Sequence, residues 1–201
     1  MDQLDKWRGD FGNQYAGRNP LDEDGIENVA ACWRQVLAHV PEPQTILEVG
    51  ANVGRNLAAL ARIAQSQLFA IEPNHAAREK LSTLLPPDRI FDGHAGDLPF
   101  ADRSFDLVFT SGVLIHIPED ALREAYSEIH RTANQWIVTI EYFSPEPVQV
   151  VYQGQRDLLW KRDYGTYWLE WFDDVQPVAE GFFWKRTSGL DNLNWWLFRR
   201  T

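Results

Sequence analysis

The chain has 201 residues, 44% of them hydrophobic and 24% charged, which suits a single domain spanning 1–201 with a sizeable core. A net charge of -10 leaves no general basic footprint for phosphates and argues against tRNA, rRNA or DNA as partners, although Lys161, Arg162, Lys185 and Arg186 could form a local patch. The single cysteine, Cys32, excludes an internal disulfide. No apolar run nears the roughly 20 residues that span a bilayer, and the polar start Met1-Asp2-Gln3-Leu4-Asp5-Lys6 is unlike a signal peptide. The expectation is a cytoplasmic protein with no membrane or nucleic-acid partner.

Residues 1–25 are polar but carry Trp7, Phe11 and Tyr15, so this segment should pack on something. Residues 26–39 predict a helix, with Val29, Trp33, Val36 and Leu37 on one face and Pro41 and Pro43 beyond its end. Alternation then begins. Residues 45–49 form an apolar strand ending at Gly50, and 56–64 a helix. Residues 68–71 form a second strand, followed by Glu72-Pro73 and by Asn74, which can cap a helix to about Leu85. Residues 89–91 give a weak strand and 105–109 a strong one. Pro118 opens a helix with Glu119 and Asp120 in its first turn, where the helix dipole favours anions. Residues 136–140 are the next strand. After Tyr142 comes an aromatic-rich stretch, which holds most of the nine tryptophans. Two β-like runs, 181–186 and 195–199, close the chain as a hairpin-like pair. Such alternation predicts an α/β fold with a mostly parallel sheet and helices on both faces.

Ligands of a doubly wound sheet bind beyond the carboxyl ends of its strands. The first such end is Glu48-Val49-Gly50-Ala51-Asn52-Val53-Gly54, small residues leading into a helix with free N–H groups. A dinucleotide fingerprint needs Gly where Asn52 and Arg55 stand, and a Walker loop is absent. An oxidoreductase using a nicotinamide cofactor is therefore disfavoured. Glu72 closes the second strand, where a carboxylate can accept from both hydroxyls of a ribose.

The pattern Glu-x-Gly-x-x-x-Gly resembles motif I of the class I S-adenosylmethionine (SAM)-dependent methyltransferases. Asn52 replaces a common Gly there, a mild change because Asn tolerates left-handed backbone. Gly96-Asp97-Leu98-Pro99-Phe100 resembles the family's adenine segment, with Asp97 meeting the amino group and Leu98 the ring. Residues 104–108 and Thr110-Ser111-Gly112-Val113-Leu114 resemble its fourth-strand motif beneath the methionine part. Nearly the whole length is similar to a narrower group, the pseudaminic acid biosynthesis-associated methylases. The marks are Trp7 with Phe11-Gly12-Asn13-Gln14-Tyr15 and Arg18-Asn19; Ile46-Leu47-Glu48-Val49-Gly50-Ala51-Asn52-Val53-Gly54; Thr110-Ser111-Gly112-Val113-Leu114-Ile115-His116-Ile117; Glu141-Tyr142; and 145–163.

The resemblance implies a Rossmann-like class I methyltransferase with a seven-stranded, mostly parallel sheet and a C-terminal antiparallel hairpin. Residues 1–40 would form a lid and helix, and 144–180 a substrate-side insertion. It implies SAM as cofactor, S-adenosylhomocysteine as product and a small polar metabolite as methyl acceptor, such as an amino sugar, a sugar nucleotide or another small amine. A peptide or protein acceptor stays open, as does a SAM-binding module using the cofactor differently. The cofactor residues expected are Trp7, Phe11, Tyr15, Arg18, Asn19, Glu48, Gly50, Asn52, Gly54, Glu72, Pro73, Asp97, Leu98, Ser111, Gly112 and Val113. Trp7, Phe11 and Tyr15 would fold over SAM or simply pack on the core. Arg55 and Asn56 could meet the ligand or cap a helix.

His116 could serve as general base, given an ordinary pKa near 6.5, or be bonded to backbone before Pro118. Glu141 and Tyr142 could hold the methyl acceptor or be ordinary edge residues. Tyr152, Arg156, Lys161 and Arg162 could contact its phosphate or carboxylate, or form a solvated charge cluster. His39, His75, His94 and His130 lack metal-ligand spacing, so no metal is expected. A monomer and a homodimer, built on the tryptophan-rich region, are both compatible with the sequence. Cys32 should be buried and inert.

Overall fold

A computed structural model describes residues 3–18 and 21–201, with backbone alone for Gln155 and Arg156. Two short helices, α1 (Gln3–Arg8) and α2 (Asp10–Arg18), precede α3 (Glu23–Leu37). The wound core follows as β1 (Thr45–Val49), α4 (Arg55–Ile63), β2 (Gln67–Ile71), α5 (His75–Leu81), β3 (Ile90–Phe91), β4 (Phe105–Ser111), α6 (Glu119–Thr132) and β5 (Ala133–Glu141). A separate hairpin, β6 (Val148–Tyr152) and β7 (Gln155–Lys161), comes next. The chain closes with α7 (Tyr164–Trp171), β8 (Val175–Phe183), α8 (Lys185–Ser188) and β9 (Leu193–Arg200).

The main sheet has seven strands in the order β3-β2-β1-β4-β5-β9-β8. The first five are mutually parallel, and β9 runs antiparallel to both β5 and β8. Helices cover both faces, so central strands are apolar on both sides and β1 is buried almost throughout. The two-residue alternation of each strand sorts its side chains between two cores. Ile46, Leu107, Phe109, Val138 and Leu197 join Val29, Trp33 and Leu60 of α3 and α4 on one face. Leu47, Val49, Val108, Ile137 and Phe198 join Leu122, Tyr126, Ile129 and Trp168 of α6 and α7 on the other.

Local chemistry sets the helix ends. Asp22 caps α3 by accepting from Gly25 N at 2.7 Å, and Asn74 caps α5 through Ala77 N at 2.9 Å. On the opposite face, the Tyr126 hydroxyl donates to Tyr164 O at 2.7 Å, and Trp168 Nε1 to Thr139 Oγ1 at 2.9 Å. Buried tryptophan and tyrosine polar atoms are thereby satisfied. Cys32 is 2% exposed, and burial pushes its thiol up to about 11.

Three expectations need adjustment. Helix α5 ends at Leu81, because Ser82 closes it and Pro86-Pro87 lie ahead. The strand expected at 181–186 is β8, which starts six residues earlier, and Lys185 and Arg186 belong to the turn of α8. Pro177 masks its beginning: a proline suits only an edge strand, and β8 is one. The 144–180 segment, expected as one insertion, divides into parts. The hairpin β6–β7 stands apart from the main sheet, α7 packs on its face, and β8 joins it from Val175.

Candidate active site

A cavity of about 680 Å³ opens at the carboxyl ends of β1, β2, β4 and β5, within the range of roughly 300–1,000 Å³ usual for ligand sites. Its floor is the turn after β1. Gly50 has φ +75° and Asn52 φ +49°, both left-handed. A Cβ on Gly50 would lie 2.6 Å from Val113 Cγ2, so a side chain there would collide with the loop after β4. Asn52 holds its conformation while donating its backbone N–H to Glu72 Oε2 at 2.7 Å. Glu72 Oε1 accepts from Asn74 N at 2.8 Å. One carboxylate thus joins the ends of β1 and β2, and each of its oxygens keeps a lone pair.

Glu48 is the second carboxylate of the floor. Asn56 Nδ2 donates to its Oε1 at 2.7 Å, and Trp33 Nε1 donates to Asn56 Oδ1 at 3.1 Å. The indole fixes which way the amide points, because Oδ1 must accept. Glu48 Oε2 is buried with no hydrogen-bond partner. Burial pushes Glu48 well above the usual carboxylate range, and the charge of Glu72 adds to that rise. Burial raises Glu72 too, against the N–H groups of Asn74 and Asn52. The floor therefore wants a ligand that is cationic or rich in donors.

The roof comes from the N-terminal helices. Gln3, Leu4, Trp7, Gly12 and Tyr15 line the cavity. The Trp7 ring packs on Phe11, Tyr15 and His116 at centroid distances of 5.0, 5.3 and 4.6 Å. Asn74 Nδ2 donates to Trp7 O at 3.0 Å and to Asn13 Oδ1 at 2.9 Å, and Lys80 Nζ to Ala16 O at 2.8 Å. Gln3 Nε2 donates to His116 O. Phe11 supports Trp7 from outside the cavity, and Arg18 bonds Gln153 Oε1 of the hairpin at 3.0 Å. Asn19 and the Arg156 side chain lie outside the described residues.

Pro73, Ser111, Gly112 and Val113 line the cavity, and Gly54 does not. Nor do Asp97 and Leu98. Asp97 is exposed, and Leu98 is buried against α6, donating its N–H to Glu128 Oε2 at 2.9 Å. The tight turn in which Asp97 N donates to His94 O presents His94, Ala95 and Gly96 to the cavity in their place.

His116 lines the cavity, with Nδ1 2.5 Å from Leu158 O. A carbonyl only accepts, so Nδ1 carries the proton and Nε2 the lone pair. Burial lowers the His116 pKa to about 4. Glu141, expected beside it, is wholly buried and is not on the cavity wall. Its carboxylate accepts from Val113 N and Leu114 N at 3.1 Å and from Ile115 N at 3.4 Å. It is a positioning residue for the loop after β4, not a group that meets a ligand. Burial raises it to about 7, against those N–H groups.

Tyr142 and Tyr152 reach the cavity. Lys161 and Arg162 do not. Lys161 Nζ sits 5.2 Å from the Tyr142 ring centroid. Arg162 is 2% exposed, donates to Ile117 O at 3.2 Å and pairs with Glu119 at 3.1 Å. Lining residues not expected from the sequence include Asn74, His94, Leu159, Lys185 and Asp191. The sequence marks Asn74 only as a helix cap. Lys185 and Asp191 carry no local motif. Among the described residues no cluster of three His, Cys, Asp or Glu has the arrangement of a metal site, and no helix is long and apolar enough to cross a membrane.

Residues 47–135 match a protein family described as a methyltransferase domain. An uncharacterized methyltransferase of Mycobacterium sp. (strain JLS) is 29% identical over 99 residues, 49% of this chain and 39% of that relative's length. A SAM-dependent methyltransferase from Leishmania major superposes with a TM-score of 0.74 at 18% identity, covering 98% of this chain and 86% of that one. The 1,6-didemethyltoxoflavin-N1-methyltransferase of Burkholderia thailandensis, solved with that substrate and S-adenosylhomocysteine, gives 0.72 at 20% identity, covering 96% and 87%. The fold is that of the class I SAM-dependent methyltransferases, and SAM is the cofactor this fold and domain imply. The site fits it: the ammonium and ribose hydroxyls of SAM are donors, as the orphaned Glu48 Oε2 and the spare lone pairs of Glu72 require.

Proposed function

We propose that this chain is a SAM-dependent methyltransferase acting on a small polar metabolite. The observation that carries the reading is the pair of buried carboxylates, Glu48 and Glu72, on the floor of a roofed cavity at the sheet's carboxyl edge. Glu72, Asn52 and Pro73 would hold the ribose side. Glu48, Gly50 and the Ser111-Gly112-Val113 turn would hold the methionine side, and His94 with Ala95 the base. SAM supplies a methyl group already activated on a sulfonium. The protein's own work is to orient the methyl acceptor and exclude water, and such positioning can contribute about 7–11 kcal/mol. Trp7 and the α1–α2 roof exclude the water. His116, neutral at physiological pH, contributes a lone pair that orients a donor.

Helices α1 and α2 contribute part of the cavity wall, which favours a small methyl acceptor over a folded protein. An amino sugar or its nucleotide conjugate is in keeping with the similarity to the pseudaminic acid-associated methylases. Calorimetric titration with SAM tests the cofactor. Glu72→Ala should weaken binding about tenfold or more, since hydrogen bonds to charged groups contribute about 1.5–3 kcal/mol each. Absence of SAM binding, or of S-adenosylhomocysteine formation across small-metabolite pools, would refute the reading.

A further inference from the structure

Across the cavity from Glu48 and Glu72, one stretch of wall is assembled from distant parts of the chain. Tyr142 follows β5, Lys185 lies on α8, and Leu190 and Asp191 lead into β9. Strand β9 pairs antiparallel with β5, with Glu141 opposite Asn194. The start of one strand therefore sits beside the end of the other, and that register brings Asp191 to Tyr142. The Tyr142 hydroxyl donates to Asp191 Oδ2 at 2.6 Å, and Lys185 Nζ donates to Oδ1 at 2.9 Å.

The protons of this cluster can be assigned. Hydrogen bonds from Tyr142 and then Lys185 hold the Asp191 carboxyl below its usual range, so it is an anion that only accepts. The one hydroxyl proton of Tyr142 is committed to it, so Tyr142 Oη can only accept from anything else. Each Asp191 oxygen retains a lone pair. His116, on the same cavity, offers the lone pair of Nε2. Lys185 spends one of its three N–H donors on Asp191 and its side chain is largely solvent-exposed, while Lys161 stands over the Tyr142 ring outside the cavity lining.

Such a wall discriminates among methyl acceptors. A carboxylate would meet Asp191 as a like charge. A hydroxyl brings one donor to several lone pairs. A primary amine brings two or three, with a positive charge when protonated. Building on the reading that SAM occupies the floor, we propose that Tyr142 and Asp191 seat the methyl acceptor and that this acceptor is an amine, methylated on nitrogen. The bound ammonium releases a proton to solvent. The freed nitrogen lone pair then forms the N–C bond to the methyl carbon as the C–S bond breaks. The electron pair of that bond stays on sulfur, leaving the neutral thioether. The N-methylated product leaves as an ammonium, and each turnover releases one proton.

The test has two stages. Calorimetry with SAM on the wild type, Asp191→Asn and Tyr142→Phe establishes the cofactor site and confirms that each variant is folded. Methyl-labelled SAM is then supplied with matched probes: glucosamine and glucose, phenethylamine and 2-phenylethanol, with phenylacetate as the acid. Label should enter amine probes at least about tenfold faster than their partners. Asp191→Asn and Tyr142→Phe should each raise the amine KM about tenfold, the loss expected for a hydrogen bond to a charged group. SAM affinity should stay within about twofold, well inside that tenfold step. Equal labelling of alcohols or the acid, or an unchanged amine KM in both variants, overturns the proposal. No labelled amine despite SAM binding overturns the amine assignment alone. No SAM binding overturns the cofactor reading beneath it.

Discussion

The side-chain amide of Asn74 donates to the backbone oxygen of Trp7 at 3.0 Å, so the residue that caps α5 also fastens the roof over the cavity. The same residue's backbone N–H holds Glu72 on the floor. Asn74→Ala should lower stability by about 0.5–2 kcal/mol through the lost cap. It should also speed hydrogen exchange in residues 3–18 and weaken SAM binding. Asn74→Asp keeps the capping oxygen but loses the amide donor, so it should retain most of the stability and still loosen the roof. Denaturant melts and exchange mass spectrometry separate the two effects.

The loop after β4 packs two buried titrating groups of opposite sign together, its own His116 and Glu141 at the end of β5. Glu141 is raised to about 7. Its contribution to stability is full below the unfolded-state pKa near 4.5 and is lost as pH climbs through 7. His116 is lowered to about 4. Its contribution is full above the unfolded-state value near 6.5 and is lost as pH falls through 4. Between about 4.5 and 6.5 the two slopes oppose each other. Glu141→Gln should therefore make stability rise more steeply with pH in that window, and His116→Gln should make it fall more steeply. Denaturant midpoints measured from pH 4 to 8 decide this.

Trp33 is 1% exposed and packs on Phe109 at 4.6 Å between ring centroids. Trp33→Ala should cost about 3–5 kcal/mol from transfer and cavity terms. Trp33→Phe keeps much of the packing but leaves Asn56 Oδ1 without its donor, a penalty of about 1–3 kcal/mol. Because Asn56 orients Glu48, Trp33→Phe should also weaken SAM binding in calorimetry, although Trp33 does not line the cavity.

Gly50→Ala tests the floor directly. Its φ of +75° and the 2.6 Å approach to Val113 Cγ2 predict strain of about 1–3 kcal/mol and loss of most SAM affinity. Pairing it with Val113→Ala should restore part of both by removing the collision.

The wound part of the fold was legible because its strands are unbroken apolar runs separated by helical periods, as at Ile46-Leu47 and Val108-Phe109. Strand β8 was partly hidden, since an edge strand with Pro177 lacks such a run. Glu48 and Gly50 stood out through the resemblance of Glu-x-Gly-x-x-x-Gly to motif I, and Glu72 through its place at the end of the second strand. Glu141 and Tyr142 show the limit of that logic. Adjacent residues at a strand end face opposite ways, and one residue separates a side chain on the cavity from one consumed by three backbone N–H groups. Asp97 failed for a similar reason, because a tight turn hands the cavity to His94 and Ala95. Asp191 was beyond reach, since only the β5–β9 pairing brings it within 2.6 Å of Tyr142.

That last pairing has an evolutionary reading. The floor is made by β1, β2 and β4, deep in the sheet, where any change disturbs two cores. The opposite wall hangs on the segment between two terminal strands and on a hairpin outside the sheet. Exchanges at the exposed positions of these stretches leave both cores untouched, whereas Leu158 and Leu159 of the hairpin are themselves buried. A lineage could therefore diversify its clientele by editing residues 148–161 and 184–192 while keeping one inherited methyl donor, and a protein engineer could graft new recognition onto the same two stretches.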